Sequence, residues 1–353
     1  MSTRADRLAD AVAERGLDAL LVTNLANLRW CSGFTGTNGA AVIGPDVRLF
    51  FTDFRYVEQA AEQVQDFERV RAGRDLLGDV ASRLTGNVGF EDAFMSVRSH
   101  ARLRDAAGAQ VELSGASGTV EALREVKERH EVDAMRAAAR IADQAYEELA
   151  ERGIDGRTEK RIAAALEVRM RELGADDRSF PAIVASGAHG ALPHAVPRDV
   201  AVERDTFMIV DMGCVVDGYC SDCTRTFATG PIADDAYAVY DLVLRAQLAA
   251  LEAIHAGAGC TAVDSVAREL IASAGHAEHF GHGLGHGVGL EVHEGPRLAQ
   301  TAEGSLRAGN AVTVEPGVYL PGELGVRIED LVVVTDSGCD ILTGFPKSLV
   351  TLA

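Results

Sequence analysis

An Asp-Gly pair between two runs of alternating residues constrains the fold of this chain more than any other feature. Residues 209–226 read IVDMGCVVDGYCSDCTRT, with Asp217-Gly218 at the centre, and this dipeptide between strand-forming runs predicts a two-residue β-hairpin turn. Counting outward from the turn places Gly213 opposite Asp222. Because side chains alternate between the faces of a strand, Asp211 then shares a face with Asp222 and lies diagonal to it. A bulge would shift the register by one residue and separate the two carboxylates.

A second acidic pair occurs in residues 313–334, TVEPGVYLPGELGVRIEDLVVV, where two alternating runs flank a connection rich in proline and glycine. Glu315 and Glu329 are the polar residues at which these runs meet the connection. Between the two acidic pairs lies FGHGLGHGVGLEVHEGP, which has five glycines between residues 281 and 289 and includes His282, His286 and His293. No ordinary strand or helix needs that composition, which lets the backbone approach a bulky group.

The four carboxylates together with His286 predict a metal centre. A single acidic residue beside a strand is ordinarily a solvated charge, so the inference depends on the five residues occurring together. Four carboxylates carry about four negative charges, which two divalent cations balance and one does not. Oxygen-rich ligation with one imidazole favours manganese, with cobalt or zinc as alternatives.

These segments resemble the pita-bread metallopeptidases, which include methionine aminopeptidase, aminopeptidase P and prolidase. The resemblance is carried by DMG, GYCSDCTRTF, GHGLGHGVGLEVHE, VEPGVY and GVRIED, and it extends from about residue 120 to the C-terminus. RWCSGFTGTNGA and TDFRYVEQA extend it to the amino-terminal domain of aminopeptidase P, prolidase and creatinase. The resemblance implies that Asp211 and Asp222 bind the first metal, that His286 and Glu315 bind the second, and that Asp222 and Glu329 bridge the two.

The resemblance also implies roles for residues around the metals. A metal pair that activates water needs no nucleophilic side chain, and Glu315 is placed to take the proton of that water. His194 and His293, each of which could otherwise be structural, would hydrogen-bond the substrate carbonyl. Arg327 lies two residues before Glu329 on the same strand face, so it can pair with a carboxylate such as Asp211. Three further residues would contact substrate: His282, Arg297 and Tyr319.

The sequence predicts two domains. Up to about residue 113, helix and strand signals alternate, which predicts an α/β domain with a mixed sheet flanked by helices: a helix to Arg15, strands ALLVT, GAAVIG, VRLFFT, NVGFE and AQVEL, and helices from Asp53 and before AQVEL. SGASGT at 114–119 is the expected linker, so the domains are expected at 1–118 and 119–353.

The second domain contains an internal repeat of helix pairs. One helix ends at Gly153 and the next runs from Thr158 to Gly174. A hundred residues later, a helix ends near Gly257 and another starts at Thr261, where Asp264 would complete a capping box before a stop at Gly275. Each pair precedes segments that contribute metal-site residues, so we expect two α+β halves facing each other across the metals, as in the pseudo-twofold pita-bread fold.

The net charge and the cysteine content limit which partners and which cellular compartment are expected. A net charge of −19 argues against nucleic acid and anionic membrane as partners, and neither a signal peptide nor a membrane span is evident. The six cysteines are sparse and fit free thiols in a reducing, cytoplasmic setting. Cys220 and Cys223 match a CxxC spacing, but packed thiols are the preferred interpretation.

The resemblance of the amino-terminal segments is to Xaa-Pro peptidases, which implies a proline-containing peptide as substrate. The leading expectation is a dinuclear Xaa-Pro aminopeptidase, and an Xaa-Pro dipeptidase of prolidase type is the close alternative. A metal-free creatinase-like amidinohydrolase and a non-catalytic binding module are disfavoured because every ligand position carries a ligating residue. Family relatives commonly pair through the amino-terminal domain, which implies a homodimer with Trp30 and its GFTG neighbours near the partner's active site.

Overall fold

The computed structural model of the protein describes residues 3–352, and the chain divides between Arg124 and Glu125 into two compact units. The expected boundary at residue 118 lies six residues before this division. No helix within residues 3–352 is both long enough and apolar enough to cross a bilayer.

The amino-terminal unit alternates helices with strands. Its helices are α1 (Arg4–Glu14), α2 (Leu25–Ser32), α3 (Val57–Gln63), α4 (Leu76–Ala81), α5 (Val97–Ala107) and α6 (Thr119–Arg124). Its strands are β1 (Ala19–Val22), β2 (Gly39–Ile43), β3 (Arg48–Thr52), β4 (Glu68–Arg71), β5 (Gly86–Phe90) and β6 (Val111–Gly115).

The six strands form one sheet in the order β4-β3-β2-β1-β5-β6. β1 pairs antiparallel with β2 and parallel with β5, so the sheet is mixed, as the sequence predicts. Apolar residues of β1 and β2 pack with those of α4 and α5 in one buried core, because a sheet face must be covered to remove its apolar area from water.

Two local predictions in this unit need correction, and a third stays a prediction. The helix expected from Asp53 begins at Val57, because the Asp53 carboxylate accepts from the Arg55 backbone and forms a turn first. The segment around Trp30 is helix α2, with the indole buried and in contact with the guanidinium groups of Arg4 and Arg7, and its place near a partner's active site stays a prediction. SGASGT is largely structured, since β6 ends and α6 begins within it.

The second unit contains four long helices and thirteen strands among the described residues. The helices are α7 (Arg129–Arg152), α8 (Glu159–Glu172), α9 (Asp234–Glu252) and α10 (Cys260–Ser273), with short 3-10 turns at Gly187–Ala191 and Ala277–His279. The strands are β7 (Asp177–Arg178), β8 (Ile183–Ser186), β9 (Phe207–Met212), β10 (Cys214–Val216), β11 (Tyr219–Cys220), β12 (Cys223–Ala228), β13 (Gly285–Gly287), β14 (Glu294–Leu298), β15 (Ala311–Val314), β16 (Gly317–Leu320), β17 (Leu324–Arg327), β18 (Asp330–Val334) and β19 (Cys339–Ile341).

The predicted repeat is observed as two halves of this unit. In the first half, α7 and α8 share a buried core with β8, β9 and β12. In the second, α9 and α10 share another with β15, β17 and β18. The halves are joined by hydrogen bonds between β12 and the residues around β17 and β18, including the Glu329 amide to the Thr224 carbonyl at 3.1 Å.

Two details of the second helix pair differ from the prediction. α9 ends at Glu252 and not near Gly257, because the following backbone turns to donate to other segments, as Ala256 does to Thr335. The prediction of a capping box at the start of α10 is wrong. The helix begins at Cys260 with Gly259 as its cap, while Asp264 lies a turn further in and is fully buried.

Candidate metal centre

The first acidic pair has the predicted hairpin register. Val216 pairs with Tyr219 across the Asp-Gly turn, and farther out Thr224 pairs with Asp211. No residue is inserted between these positions, so Asp211 and Asp222 keep the diagonal relationship expected from the sequence. Gly213 is required opposite Asp222, because a Cβ there would lie 1.9 Å from the Ser221 carbonyl oxygen.

The second pair and His286 are held by neighbouring strands of the second half. β15 and β18 are antiparallel with Val314 opposite Asp330, which places Glu315 and Glu329 across from each other just beyond the ladder. β13 lies on the other side of β15. The Glu315 amide donates to the Leu284 carbonyl at 2.8 Å, so the chain carrying His286 is fixed beside Glu315.

The side chains from both halves converge. Asp222, His286 and Glu329 each offer a ligand atom, and these atoms lie within 4.8 Å of one another. Nε2 of His286 is 3.6 Å from Asp222 Oδ2 and 3.3 Å from Glu315 Oε1. Nδ1 of the same ring donates to the Gly287 carbonyl at 3.0 Å. This bond leaves Nε2 as the nitrogen that can bind a cation.

Burial and like charge shift the pKa values of this cluster. Burial raises the pKa of Asp222 and of Glu329 well above the usual range, and the neighbouring carboxylates raise both further. Burial also raises the pKa of Glu315, but the hydrogen bond and charge of His286 lower it more, to about 2. Burial lowers the pKa of His286, and Glu315 more than reverses that effect. The raised pKa values of Asp222 and Glu329 are those expected of a crowded negative site that favours a cation.

One oxygen in this cluster provides a direct test of whether a metal fits. Asp211 is buried, with 8% of its surface exposed. Its Oδ2 accepts from Arg327 at 2.7 Å, whereas its Oδ1 is buried and finds no hydrogen-bond donor within residues 3–352. A buried carboxylate oxygen without a donor is costly, and a hard divalent cation would satisfy it. The donor set of four carboxylates and one imidazole therefore fits the metal that the sequence predicts.

Arg327 connects several parts of the site. It is 3% exposed, and burial lowers its pKa while Tyr319 and nearby carboxylates raise it well above the usual value. Nη2 donates to Asp211, and Nε donates to the Thr224 hydroxyl at 3.0 Å. That hydroxyl donates to Glu329 Oε2 at 2.7 Å. One guanidinium therefore fixes Asp211 directly and Glu329 through Thr224.

A second branch from Arg327 reaches His282. Nη1 donates to the Tyr319 hydroxyl at 2.8 Å, and that hydroxyl lies 3.0 Å from His282 Nε2. Nδ1 of His282 donates to the Gly283 carbonyl, so Nε2 accepts from Tyr319. Burial lowers the pKa of His282, which fits this neutral form. Tyr319 is 6% exposed, and its hydroxyl joins the two side chains.

Helix α10 holds the glycine-rich segment that carries these histidines. Arg268 donates to the Phe280 carbonyl at 2.9 Å and to the His282 carbonyl at 2.7 Å. Asp264 pairs with Arg268 and also accepts from the Leu284 amide at 3.0 Å. The buried position of Asp264 is explained by this anchoring of the segment before His286.

The remaining candidate residues lie on the exposed side of the site. His194 and His293 are both exposed, and the His293 ring packs edge-on against His286 with centroids 4.4 Å apart. Burial lowers the pKa of His293, and the charges of His286 and His194 lower it further. Arg297 is exposed on β14, directly opposite His286. These three side chains are accessible to a substrate.

Two threonines and one arginine of the site are not predicted from the sequence. Thr224 could have been found, because the hairpin register places it directly opposite Asp211. Thr313 accepts from the His286 amide and donates to Glu315, two residues from that glutamate on its own strand. No local pattern links Arg268 to the segment around His282.

Both units of the chain match families of known proteins. The family described as metallopeptidase family M24 matches residues 133–336. The Creatinase/Prolidase N-terminal domain matches residues 4–126. The chain belongs to metallopeptidase family M24. It is therefore an enzyme, and as a metallopeptidase it uses divalent metal ions.

Similar proteins of known structure share both units of this M24 peptidase. An Xaa-Pro dipeptidase from Bacillus anthracis is 40% identical, with a TM-score of 0.96 and 99% of each chain covered. An X-Pro aminopeptidase from Thermotoga maritima is 38% identical, with a TM-score of 0.89, 96% of this chain and 99% of that chain covered. In sequence, an Xaa-Pro dipeptidase from Pyrococcus furiosus is 33% identical over 99% of this chain and 100% of its own length. The predicted two-domain fold is confirmed.

Proposed function

We propose that this M24 peptidase is an Xaa-Pro dipeptidase that cleaves the bond before proline with two divalent metal ions. The sequence alone ranks the aminopeptidase first. The names of similar proteins favour the dipeptidase, as with the Bacillus anthracis and Pyrococcus furiosus proteins. Proline has no amide hydrogen and a fixed φ, so a dedicated peptidase suits this bond.

The proposed metal ligands are the residues that converge around the buried carboxylates: Asp211, Asp222, His286, Glu315 and Glu329. The orphaned Oδ1 of Asp211 and the mutual repulsion of Asp222 and Glu329 support this assignment. When bound, two such ions would supply Lewis-acid activation of a water molecule and of the scissile carbonyl. Manganese is proposed from the oxygen-rich donor set, with cobalt or zinc as alternatives.

The protein groups divide the remaining chemistry. The Glu315 carboxylate, which lies 3.3 Å from His286 Nε2, is proposed to take a proton from the attacking water and pass it to the proline nitrogen. His293 and His194 are proposed to donate to the carbonyl oxygen as negative charge develops on it. Arg327 holds Asp211 in place, and Tyr319 and His282 shape the pocket beside it.

The position of Arg297 is the observation that favours a dipeptide. It is exposed and lies directly opposite His286. In an Xaa-Pro dipeptide the free carboxylate belongs to the proline itself, so it must lie close to the scissile bond. A guanidinium recognises such a group with paired hydrogen bonds. A longer peptide carries its carboxylate farther away and would not use this contact.

A comparison of three substrates tests the proposal. An Xaa-Pro dipeptide, the same dipeptide with an amidated C-terminus, and an Xaa-Pro-Xaa tripeptide are assayed with added manganese. We expect the free dipeptide to have the highest kcat/KM. Arg297→Met should raise KM for the free dipeptide and leave the amide unaffected. Equal or faster cleavage of the tripeptide by the wild type would reject the dipeptidase.

An Xaa-Pro aminopeptidase is the second candidate, because the X-Pro aminopeptidase from Thermotoga maritima is 38% identical. It predicts the opposite substrate order, with the tripeptide preferred and Arg297→Met without effect. The creatinase-like alternative predicts activity that survives chelation.

A homodimer and a cytoplasmic setting remain proposals. The latter is supported by free cysteines throughout residues 3–352, of which five are buried.

A further inference from the structure

Glu159 is a fully buried carboxylate outside the metal cluster. It is the first residue of α8 and has none of its surface exposed. Its Oε1 accepts from the Ser186 amide at 2.9 Å and from the Ser186 hydroxyl at 3.1 Å. Its Oε2 accepts from the Arg198 amide at 3.0 Å. Arg198 adds its guanidinium, and His189 Nδ1 donates at 3.0 Å. A buried charge needs this many donors to be tolerated.

Most of these donors lie at the two ends of one segment. Ser186 ends β8, and Arg198 follows residues 187–197, which comprise the 3-10 turn at Gly187–Ala191 and an irregular stretch after it. The backbone reinforces the closure, because the Glu159 amide donates to the Val200 carbonyl and the Lys160 amide donates to the Arg198 carbonyl. The first amides of α8, which have no partner within the helix, therefore donate to carbonyls of the returning chain. Glu159 closes residues 187–197 into a loop.

This loop carries His194, which is exposed beside the site. Its tip has one further hydrogen bond to the site among those described, from Arg327 Nη1 to the Pro193 carbonyl at 3.2 Å. Ala191 and Ala195 beside it are buried, whereas Leu192 and Val196 are 56% and 76% exposed, so packing fixes the inner side of the loop and leaves its outer side free. The position of His194 therefore depends on that packing together with how Glu159 holds the two ends of the loop.

The charge on Glu159 matters as well as its shape. Burial raises its pKa, but hydrogen bonds from Arg198 and the Ser186 amide lower it more, to about 2. The carboxylate is ionised at neutral pH, and hydrogen bonds to an ionised acceptor are roughly twice as strong as neutral ones. A glutamine at this position would keep the volume but replace one acceptor oxygen with a donor.

We propose that Glu159 is a positioning residue for catalysis, which holds the loop at residues 187–197 so that His194 faces the substrate carbonyl. This proposal rests on the role given to His194 in the proposed function. Glu159 touches neither substrate nor metal ligands. Its loss should change the mobility of the loop and the rate of the chemical step, while the metal content stays the same.

The test compares Glu159→Gln with Glu167→Gln. Glu167 is a matched control on the same helix, because it also accepts from a backbone amide, that of Ala182, and from an arginine, Arg178. Steady-state kinetics, metal content and hydrogen exchange are measured on the manganese-loaded proteins. For Glu159→Gln we expect kcat to fall roughly 10- to 100-fold, as a misplaced catalytic group does. Exchange should become faster in residues 187–197 only.

The control and a second variant keep the proposal falsifiable. Glu167→Gln should retain kcat and the exchange pattern of the wild type. If Glu159→Gln does not fold, Arg198→Met removes two of the donors and should give the same local exchange with a smaller loss of kcat. Unchanged kcat and exchange in the folded variants would overturn the proposal, as would equal losses in Glu167→Gln. The two proposals can fail separately. If the wild type does not cleave Xaa-Pro dipeptides but Glu159→Gln still speeds exchange in residues 187–197, the proposed substrate is rejected and the anchored loop is supported.

Discussion

The hydroxyl of Thr224 donates a hydrogen bond of 2.7 Å to Oε2 of Glu329. The same hydroxyl accepts from Arg327, so it orients one carboxylate of the cluster while it is itself oriented by a buried cation. Thr224→Val keeps the shape and removes the hydroxyl. We expect a metal affinity roughly 10- to 100-fold lower, as is typical when a group that orients a ligand is lost. Calorimetric titration with manganese measures this affinity. Thr224→Ser keeps the hydroxyl and should restore tight binding. Equal affinity in the valine variant would show that Glu329 does not need this bond.

His293→Ala should reduce kcat without removing metal. The ring packs against His286 but is not among the converging ligand atoms. Loss of one donor aimed at a developing oxyanion typically costs about 10² to 10³ in rate, with little change in ground-state binding. Steady-state kinetics of the variant, together with its measured metal stoichiometry, test this prediction. His255→Ala is the control, because that ring is exposed and donates to the Ala256 carbonyl. Loss of a metal ion in His293→Ala would make His293 a ligand.

Chelation should abolish activity and lower the melting temperature. Without cations, the carboxylates of Asp222 and Glu329 are buried beside one another, and ions that bind only the folded state stabilise it by about 2.7 kcal/mol at one hundred times Kd. Thermal unfolding with increasing manganese should therefore show a rising Tm. Asp222→Asn should lose most of that rise, whereas the exposed Asp336 can be changed to Asn without effect. Peptidase activity that persists after exhaustive chelation would show that this cluster needs no metal for catalysis.

The wild type should lose stability in acid partly through Glu159. Its pKa is lowered from an ordinary 4.5 to about 2 in the folded protein, so the folded state binds fewer protons than the unfolded chain between these values. The stabilisation is present above about pH 4.5 and disappears as the pH falls towards 2. Glu159→Gln cannot titrate. Its Tm should therefore fall less than that of the wild type between about pH 5 and pH 3, and parallel curves for the two proteins would show that Glu159 does not contribute to acid sensitivity.

Lys127 and Glu294 form a buried ion pair whose disruption should be costly. Their side chains are 1% and 6% exposed, and Nζ of the lysine contacts Oε1 of the glutamate. Lys127→Met leaves a buried carboxylate without its cation, which costs about 3 to 5 kcal/mol in such pairs. Adding Glu294→Gln should recover part of the loss in urea unfolding. The exposed pair of Arg245 and Asp241 provides the control, since Arg245→Met should cost less than about 1 kcal/mol.

The hairpin that carries Asp211 and Asp222 could be predicted because a two-residue Asp-Gly turn leaves a single register, and alternation then assigns the faces. The structure brings ligand atoms of Asp222, His286 and Glu329 within 4.8 Å of one another, with Glu315 beside His286, while the assignment of all five residues as ligands stays a prediction. The same rules locate most strands of the amino-terminal sheet, because short continuous apolar runs bounded by turn residues are typical of buried strands and are too short for helices.

The contacts that hold the histidine-bearing segments could not be predicted. Glu159 reaches Ser186 and Arg198 across 27 and 39 residues, and no periodic pattern connects positions so far apart. At Asp264 a local pattern suggested a capping box, but pairing with Arg268 and the Leu284 amide explains its burial. In both cases a tertiary contact decides what a helix carboxylate does.

The bond between Thr224 and Glu329 spans 105 positions of the chain, and this separation bears on when the enzyme can acquire its metal during synthesis. The hairpin with Asp211 and Asp222 leaves the ribosome well before Glu315 and Glu329 have been added. Until then the nascent chain presents two carboxylates on one edge, which is a weak site for any divalent ion. Tight capture would therefore wait until nearly the whole protein has been translated, and a product that stops before Glu329 would leave the ribosome unable to keep a metal pair.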